Sequence, residues 1–234
     1  MARKTKEDAQ ATRTALLDSA EHLFEARGVG RTSLADIAAH AGATRGAIYW
    51  HFKDKADLFN AMMERVALPM SQSLLCADLE SAADPGQTLR AAILHAFACI
   101  EGDPQIIRVL QIATLRLELT EELGAIQQHH RLMQTRALEK ISEGLHRAYQ
   151  VRQLEPAQNV ATTALGLQAL FEGLLQQWLT SPGRFALQAT VATALDVYLK
   201  GLGLTPLPGP CDQGLRAPAH PPRTTGQSAR ALRR

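Results

Sequence analysis

Residues 32–52 read TSLADIAAHAGATRGAIYWHF, and this stretch predicts two short helices separated by a glycine turn. Gly42 suits the left-handed backbone that ends many helices, and Thr32 or Ser33 can cap the first helix. The apolar residues before the glycine recur at helical spacing, at Leu34, Ile37, Ala38 and Ala41. The pattern therefore predicts a helix-turn-helix over about residues 33–52.

The second helix of this pair carries side chains that suit a DNA groove better than a protein core. Thr44 is placed to cap it, and only Ile48 and Phe52 form an inward face. Tyr49 and Trp50 are neighbours and point about 100° apart on a helix, so at least one is exposed. The alternative is a helical hairpin whose aromatic residues are all buried. Because an isolated structural domain has little reason to expose such side chains, we favour a nucleic-acid interface.

The composition predicts a soluble protein of one or two domains with a substantial hydrophobic core. The chain has 234 residues, of which 46% are hydrophobic. No apolar run reaches the roughly 18 residues of a membrane span, and the first ten residues contain no signal-type stretch. The three cysteines are widely separated, which predicts neither a disulfide framework nor a zinc site. We expect a reducing, cytoplasmic location without membrane contact.

The net charge of +2 is unevenly distributed along the chain. Residues 1–55 hold nine Lys and Arg against seven Asp and Glu, and residues 56–204 hold eleven against fifteen. The last 30 residues, 205–234, hold five against one and contain six prolines. This distribution fits a polyanion-binding N-terminal part and a mildly acidic second part. The last segment is predicted to be a disordered basic tail, either a solvated extension or a weak, salt-sensitive aid to DNA binding.

The rest of the chain predicts further helices and no strands. An opening helix near 7–27 precedes the helix-turn-helix, and a fourth runs from about Lys55 toward 80, with a bend or break at Pro69. Acidic residues before Pro85, Pro104 and Pro156 predict caps followed by proline in a first helical turn. The later helices are expected at about 87–101, 104–118, 121–150, 156–181 and 185–202. The fold class is all-α.

The start MARKTKEDAQATR, the helix-turn-helix and the run TRGAIYWHFKDK resemble the TetR family of transcriptional repressors. Within that family they are most similar to the AcrR and TtgR group, which controls multidrug efflux pumps. The resemblance implies a DNA-binding domain over 1–54, a ligand-binding and dimerisation domain over 55–204, and the tail 205–234. It also implies a homodimer that binds a palindromic operator in double-stranded DNA and a small hydrophobic effector that releases it.

The resemblance places the DNA contacts on the helix-turn-helix and the start of the fourth helix. Arg45 has the forked geometry that reads guanine, whereas small neighbours allow close backbone approach. Lys55 and the two residues before Leu34 suit phosphates at helix N-termini. The expected contacts are Thr32, Ser33, Thr44, Arg45, Gly46, Ala47, Tyr49, Trp50, His51 and Lys55.

Two apolar segments near the C-terminus predict a dimer interface. Their stripes are broad enough for a second helix pair, although a monomer core could absorb one face of each. The resemblance favours a four-helix bundle with the symmetry mate. The expected contacts are Leu167, Leu175, Trp178, Leu187, Val191, Leu195 and Tyr198.

The resemblance also implies an effector pocket between the fourth and eighth helices. The expected lining is Met70, Ile93, Ala96, Leu110, Thr114, Glu118, Ala137, Ile141, Phe171, Glu172 and Gln176. The aliphatic members could equally be packing residues, and Glu118 either orients a ligand or pairs with Arg116 or Arg131. Polar positions of relatives are replaced here by Ala67, Thr114 and Gln176, so their ligands cannot be transferred. The fourth helix, apolar from Leu58 to Val66, is expected to couple effector and DNA sites.

Other classes of protein find little support in the sequence. A di-iron bundle enzyme needs two Glu-x-x-His motifs, and only Glu143 with His146 fits. No phosphate-binding glycine loop, nucleophile motif or metal-ligand spacing is present, so no catalytic site, metal or cofactor is predicted. A second alternative is a DNA-associated regulator or division factor with the same DNA-binding domain and no small ligand. A packed second domain would favour it, whereas an open apolar cavity would favour the sensor.

Overall fold

The computed structural model of the chain describes residues 6–115 and 124–204, with backbone only at 67–72, 124–127, 129 and 130. These described ranges contain helices and no strand, which confirms the all-α prediction. The helices are α1 Lys6–Arg27, α2 Leu34–His40, α3 Arg45–His51, α4 Lys55–Leu75, α5 Pro85–Gly102, α6 Pro104–Leu115, α7 Gly124–Val151, α8 Val160–Thr180 and α9 Leu187–Gly201.

Side-chain caps fix both short helices of the predicted helix-turn-helix. The Ser33 hydroxyl accepts a hydrogen bond from the Asp36 amide, and the Asp36 carboxylate accepts one from the Ser33 amide. Thr44 accepts from the Ala47 amide and starts α3. Between them, Gly42 has a φ of +63°, the left-handed conformation that favours glycine. The turn residues therefore set the angle at which α3 leaves the domain.

One apolar core runs from the N-terminal helices into the rest of the molecule. The predicted inward face of α1 is buried, at Leu16, Leu17, Ala20, Leu23 and Phe24, as are Ile48 and Phe52 below α3. The same cluster continues through α4 and reaches α5–α9. Burial of this kind contributes about 25 cal/mol per Å² of apolar surface. A continuous core means that α1–α3 are packed onto the larger helical part.

Proline marks helix starts as predicted at two of three positions. The Asp84 carboxylate caps α5 through the Gln87 amide, and Asp103 precedes Pro104 and bonds the Gln105 amide. The third prediction is wrong, because α8 begins at Val160 after Asn159, whose side chain accepts from the Thr162 amide. Asparagine is among the strongest N-cap residues, so it takes the position that Glu155 and Pro156 were expected to hold.

α4 is continuous from Lys55 to Leu75, so of the bend or break predicted at Pro69 the break is wrong. Its ordered apolar face explains the continuity: Leu58, Phe59, Met62 and Val66 are buried and anchor the helix before the proline. Within the described residues, no helix combines the length and the apolar character needed to cross a bilayer.

Candidate nucleic-acid interface and effector site

The outward face of α3 combines aromatic, cationic and small residues. Tyr49 is 52% exposed and Trp50 74% exposed, whereas Ile48 and Phe52 beneath them are buried. The two aromatic side chains are therefore both outside the core. The other predicted contacts of this helix are exposed at Thr44, Arg45 and Gly46 and half-buried at Ala47 and His51.

Contacts within the head, formed by α1–α3, hold this surface in place. The Trp50 ring meets the His51 ring edge-on at 4.6 Å between centroids, and the Arg13 guanidinium of α1 lies 5.3 Å from the Phe52 ring centroid. An edge-on aromatic pair and a cation over a ring each stabilise a defined side-chain position. Arg13 thus links α1 to the end of α3.

Among the residues that the structure describes, none packs against Gly46 on its side-chain side. A Cβ built at this glycine would meet no atom within 4 Å. Glycine inside a helix costs about 0.5–1 kcal/mol relative to alanine, and here no internal contact repays that cost. The position therefore fits a surface that another molecule approaches closely.

Thr32 corrects one predicted phosphate contact. Its side chain is buried, its hydroxyl donates to the Gly28 carbonyl at 2.9 Å, and its amide donates to the Val29 carbonyl at 3.4 Å. Both donors are used inside the head, so Thr32 fixes the turn before α2 and cannot present its hydroxyl to a phosphate. Burial overrode the expectation from its position.

Ser33 and Lys55 have internal roles beside the predicted phosphate contacts. The Ser33 hydroxyl belongs to the capping box, and its hydrogen bond to Asp36 lowers the pKa of that carboxyl, with its amide adding to the effect. The Lys55 ammonium donates to the Gly30 carbonyl at 3.3 Å and ties the start of α4 to the turn after α1. This bond gives Lys55 a role inside the chain beside the predicted phosphate contact.

The predicted dimer contacts are mostly core residues of a single chain. Leu167, Trp178, Leu187, Val191 and Leu195 are buried in the described structure, which corrects their assignment to an interface. The Trp178 indole donates to the Phe185 carbonyl at 3.1 Å, as a buried indole N–H usually must. Leu175 and Tyr198 are half-buried. Each stripe faces its own protomer, the alternative that periodicity had left open.

Two exposed apolar side chains lie on α8 and α9. Leu165 is 56% exposed and Val197 68% exposed. Two neighbouring concavities of about 510 and 480 Å³ lie on these helices. The first is lined by Leu170, Thr190, Thr193, Ala194, Val197 and Tyr198. Sequence reasoning missed it, although the small residues on α9 recur at helical spacing and were a usable signal.

Tyr198 fixes the register between α8 and α9. Its hydroxyl donates to the Thr163 carbonyl at 2.7 Å. A Cβ at Gly166 would lie only 2.8 Å from the Tyr198 hydroxyl oxygen, so a larger residue there would displace it. Burial raises the pKa of Tyr198 and of Tyr149, whose hydroxyl donates to the Leu202 carbonyl at 3.2 Å. These two hydrogen bonds tie α9 to α8 and the end of α9 to α7.

The predicted effector lining divides into a packed part and an exposed part. Ile93, Ile141 and Phe171 are buried, and the Phe171 ring lies 5.6 Å from that of Phe97 between centroids. Ala96, Leu110 and Ala137 are half-buried, whereas Thr114, Glu172 and Gln176 are exposed. The side chain of Met70 and all of Glu118 lie outside the described residues.

Glu172 belongs to a polar cluster whose other members sequence reasoning missed. Its Oε1 accepts from Gln134 on α7 at 3.1 Å and from Gln168 at 2.9 Å. Gln168 also donates to the Gln134 carbonyl at 3.2 Å, and its Oε1 is buried with no hydrogen-bond partner among the described residues. The cluster adjoins Phe171 in sequence and joins α7 to α8. It offers acceptor oxygens to a donor group of a bound molecule.

A second polar cluster joins α1 to α4 and α6, and it too was missed. Arg65 of α4 donates to Asp18 at 2.7 Å and to the buried carboxylate of Glu21. Burial lowers the pKa of Arg65, but the hydrogen bonds that its guanidinium donates to Glu21 and Asp18 outweigh this effect, so the pKa is raised. The signal in the sequence was the spacing of Asp18, Glu21 and Glu25, which places three acids on one face of α1.

Two families of known proteins match the chain in succession. "Bacterial regulatory proteins, tetR family" matches residues 16–62, and "MAATS-type transcriptional repressor, C-terminal region" matches residues 84–204. The chain belongs to the TetR family. Its members are transcriptional regulators, so α2 and α3 of this TetR-family chain are a DNA-binding helix-turn-helix and the protein is not an enzyme.

Individual relatives of this TetR-family chain include regulators of drug efflux. It is 34% identical over 203 residues to the transcriptional regulator AcrR of Shigella flexneri, covering 85% of this chain and 94% of AcrR. The crystal structure of NalD, the secondary repressor of the Pseudomonas aeruginosa MexAB-OprM multidrug efflux pump, superposes with a TM-score of 0.75 at 36% identity, covering 84% and 98% of the two chains.

A third relative of this TetR-family chain was solved with a small molecule bound. The SmeT–triclosan complex superposes with a TM-score of 0.73 at 33% identity, covering 82% of this chain and 91% of that one. SmeT is the repressor of the Stenotrophomonas maltophilia multidrug efflux pump SmeDEF.

Proposed function

We propose that this protein is a cytoplasmic, ligand-responsive repressor of a multidrug efflux operon. It binds a palindromic operator as a homodimer and leaves it when a bulky apolar compound binds between α4 and α8. The observation that carries the proposal is the outward face of α3, where Tyr49 and Trp50 stand clear of the core beside Arg45. The relatives named above support the efflux role.

DNA reading in this proposal is divided among the exposed residues of the helix-turn-helix. Arg45 is at the first position of α3 and reads a guanine through two hydrogen bonds. Gly46 and Ala47 let the helix approach the groove, and Tyr49 and Trp50 contact phosphates and thymine methyl groups. Lys55 neutralises a phosphate at the start of α4.

The exposed face of α8 and α9 supports the homodimer. Leu165 and Val197 present apolar surface on a pair of helices that Tyr198 holds in register. One seven-residue recognition helix reads few base pairs, whereas a two-fold pair reads two half-sites about 34–36 Å apart or a multiple of that distance. Pairing through α8 and α9 supplies the required symmetry.

The apolar core of the second part and its polar cluster support effector binding. A compound that inserts beside Phe171 displaces the ring contact with Phe97 and places its donor group against Glu172 and Gln168. It lowers operator affinity only if it binds better to a conformation with mis-spaced heads. α4 runs from beside α3 into the second part and carries this change.

Selection of duplex DNA by the purified protein, repeated with triclosan and a panel of antibiotics, tests the proposal. We expect one palindromic sequence and a compound that weakens its binding. Arg45→Ala should cost about 1–3 kcal/mol and relax sequence preference, whereas Lys55→Ala should weaken all sequences alike. Arg136→Ala, an exposed arginine on α7, is the matched control and should change neither. A protein that selects DNA but responds to no compound would be a constitutive regulator.

A further inference from the structure

One carboxylate of α1 is buried among polar groups of two other helices. The side chain of Glu21 is 3% exposed, and Arg65 of α4 donates to its Oε1. Gln105 of α6 donates to both of its oxygens, at 3.0 and 3.2 Å, and Nη1 of Arg108 lies 3.9 Å from Oε2. A buried carboxylate is costly unless such partners surround it, so Glu21 is favourable only while α4 and α6 both keep their places.

The neighbouring acids of α1 extend this junction along the same face. Asp18 pairs with Arg65 at 2.7 Å, and Glu25 pairs with Nε of Arg108 at 3.3 Å. Asp18, Glu21 and Glu25 lie along one side of α1, so a slide of α6 would break its contacts with Glu21 and Glu25 while Asp18 stays paired with α4. Hydrogen bonds are directional, so the junction defines one relative orientation rather than a range.

α6 is also tied to the helix that carries the proposed effector and dimer surfaces. The Gln111 side chain donates to the Leu179 carbonyl near the end of α8 at 2.9 Å. Gln105 is in the first turn of α6, whose positive end favours the Glu21 carboxylate. α6 therefore holds α8 at one point and α1 at another.

We propose that Glu21 is the positioning residue through which α6 sets the direction of the DNA-reading head, formed by α1–α3. This inference rests on the proposed function, because head direction matters when two chains read one palindrome. It adds a route through α6 and α1 to the coupling assigned to α4. An apolar contact in place of Glu21 would hold the helices together but would allow them to tilt.

The consequence is a strict spacing of the two recognition helices. While Gln105 and Arg108 hold Glu21, each head has one orientation and the dimer accepts one half-site separation. When the α6 partners are removed, the head keeps its bond to Arg65 and its apolar packing but tilts more easily. Discrimination between half-site separations then weakens without loss of base recognition.

The test measures the affinity of the full-length protein for its selected duplex and for versions with one base pair added or removed at the centre. The wild type should bind the altered spacings about tenfold or more weakly. The double variant Gln105→Leu with Arg108→Ala should reduce that ratio to about twofold or less, while its affinity for the original spacing changes little. Arg147→Ala, which breaks the exposed Arg147–Glu80 pair, is the control and should keep the wild-type ratio.

Rescue and a second variant keep the outcome decisive. The single variant Arg108→Lys, with Gln105 intact, keeps a positive charge and a side-chain amide beside Glu21. It should discriminate between half-site separations as the wild type does. Glu21→Gln keeps the side-chain size and should also reduce the ratio of affinities for the original and altered spacings. It replaces the double variant as the test if that variant does not fold. An unchanged spacing ratio in a folded variant overturns the role of Glu21 and leaves the proposed function intact. A wild-type protein that selects no duplex overturns both.

Discussion

The carboxylate of Glu101 on α5 accepts a hydrogen bond from the backbone amide of Leu187 at 2.9 Å. Its other oxygen accepts from the Gln188 amide at 3.0 Å. The residue before this helix is Ala186, which offers no side-chain cap, so Glu101 caps α9 from another helix. A carboxylate at a helix N-terminus accepts hydrogen bonds from amides that have no partner within the helix, and its negative charge is stabilised by the helix dipole.

Glu101→Ala should lower the free energy of unfolding by about 1–2 kcal/mol, the usual size of a lost N-cap. Urea denaturation at fixed protein concentration measures it. Ala186→Asp in the same background supplies a local cap and should restore most of the loss. A restored value with Ala186→Asp would confirm the cap, whereas no loss in the single variant would contradict it.

Gly46→Ala should raise stability and lower DNA affinity in the same protein. Alanine is a better helix former than glycine by about 0.5–1 kcal/mol, and the added methyl meets no atom of the described part of the chain within 4 Å. The same methyl would project from the surface that approaches the groove. Thermal unfolding and duplex titration measure the two effects. Tighter or unchanged DNA binding would show that α3 does not come close at this position.

The two tryptophans should report separately on the head and on the core. Trp50 is exposed on α3, whereas Trp178 is buried and donates to the Phe185 carbonyl. In a Trp178→Phe variant, adding the selected duplex should change the remaining indole fluorescence, because its surroundings change. In a Trp50→Phe variant, the same addition should change little. A response confined to Trp178 would place the DNA elsewhere.

Val197→Asp should dissociate the proposed homodimer. The substitution places a charge on the exposed face of α8 and α9, where association would bury it without a partner. Leu132→Asp, at an exposed leucine of α7, is the matched control. Sedimentation should show monomers for the first variant and dimers for the second. Dimers that persist in Val197→Asp would move the interface to another surface.

Tyr198 gives stability a measurable dependence on alkaline pH. Burial raises its pKa above 10.0 in the folded chain, so the folded state favours the protonated phenol. Its contribution is complete below the unfolded pKa and is lost as pH rises through the folded value. Tyr198→Phe should cost about 1 kcal/mol at neutral pH through the hydrogen bond to the Thr163 carbonyl. Its unfolding free energy should then fall less steeply above pH 10, and an unchanged slope would contradict this.

Local signals predicted the head almost completely. Ser33, Thr44 and Gly42 act within a few residues of their own positions, so capping and turn rules apply directly. The inward pair Ile48 and Phe52 followed from helical spacing alone. The error at Thr32 has a different origin, because its burial depends on how α1 meets the turn before α2.

Contacts between distant helices could not be predicted from one sequence. Periodicity shows that Leu167 and Val191 lie on apolar stripes, but only the packing shows that these stripes face their own chain. Glu21 meets Gln105, 84 residues later, and nothing local to either residue indicates the pair. The break predicted at Pro69 is wrong for the same kind of reason, because packing of the residues on both sides can keep a helix continuous through a proline.

The proposed function requires that α3, presented twice by a symmetric pair of chains, reads a palindrome in double-stranded DNA. Native mass spectrometry of the protein with its selected duplex tests it most directly. We expect two chains per duplex and strong weakening when one half-site is scrambled. One chain per duplex, with equal affinity for the intact and the half-scrambled sequence, would contradict the proposed function.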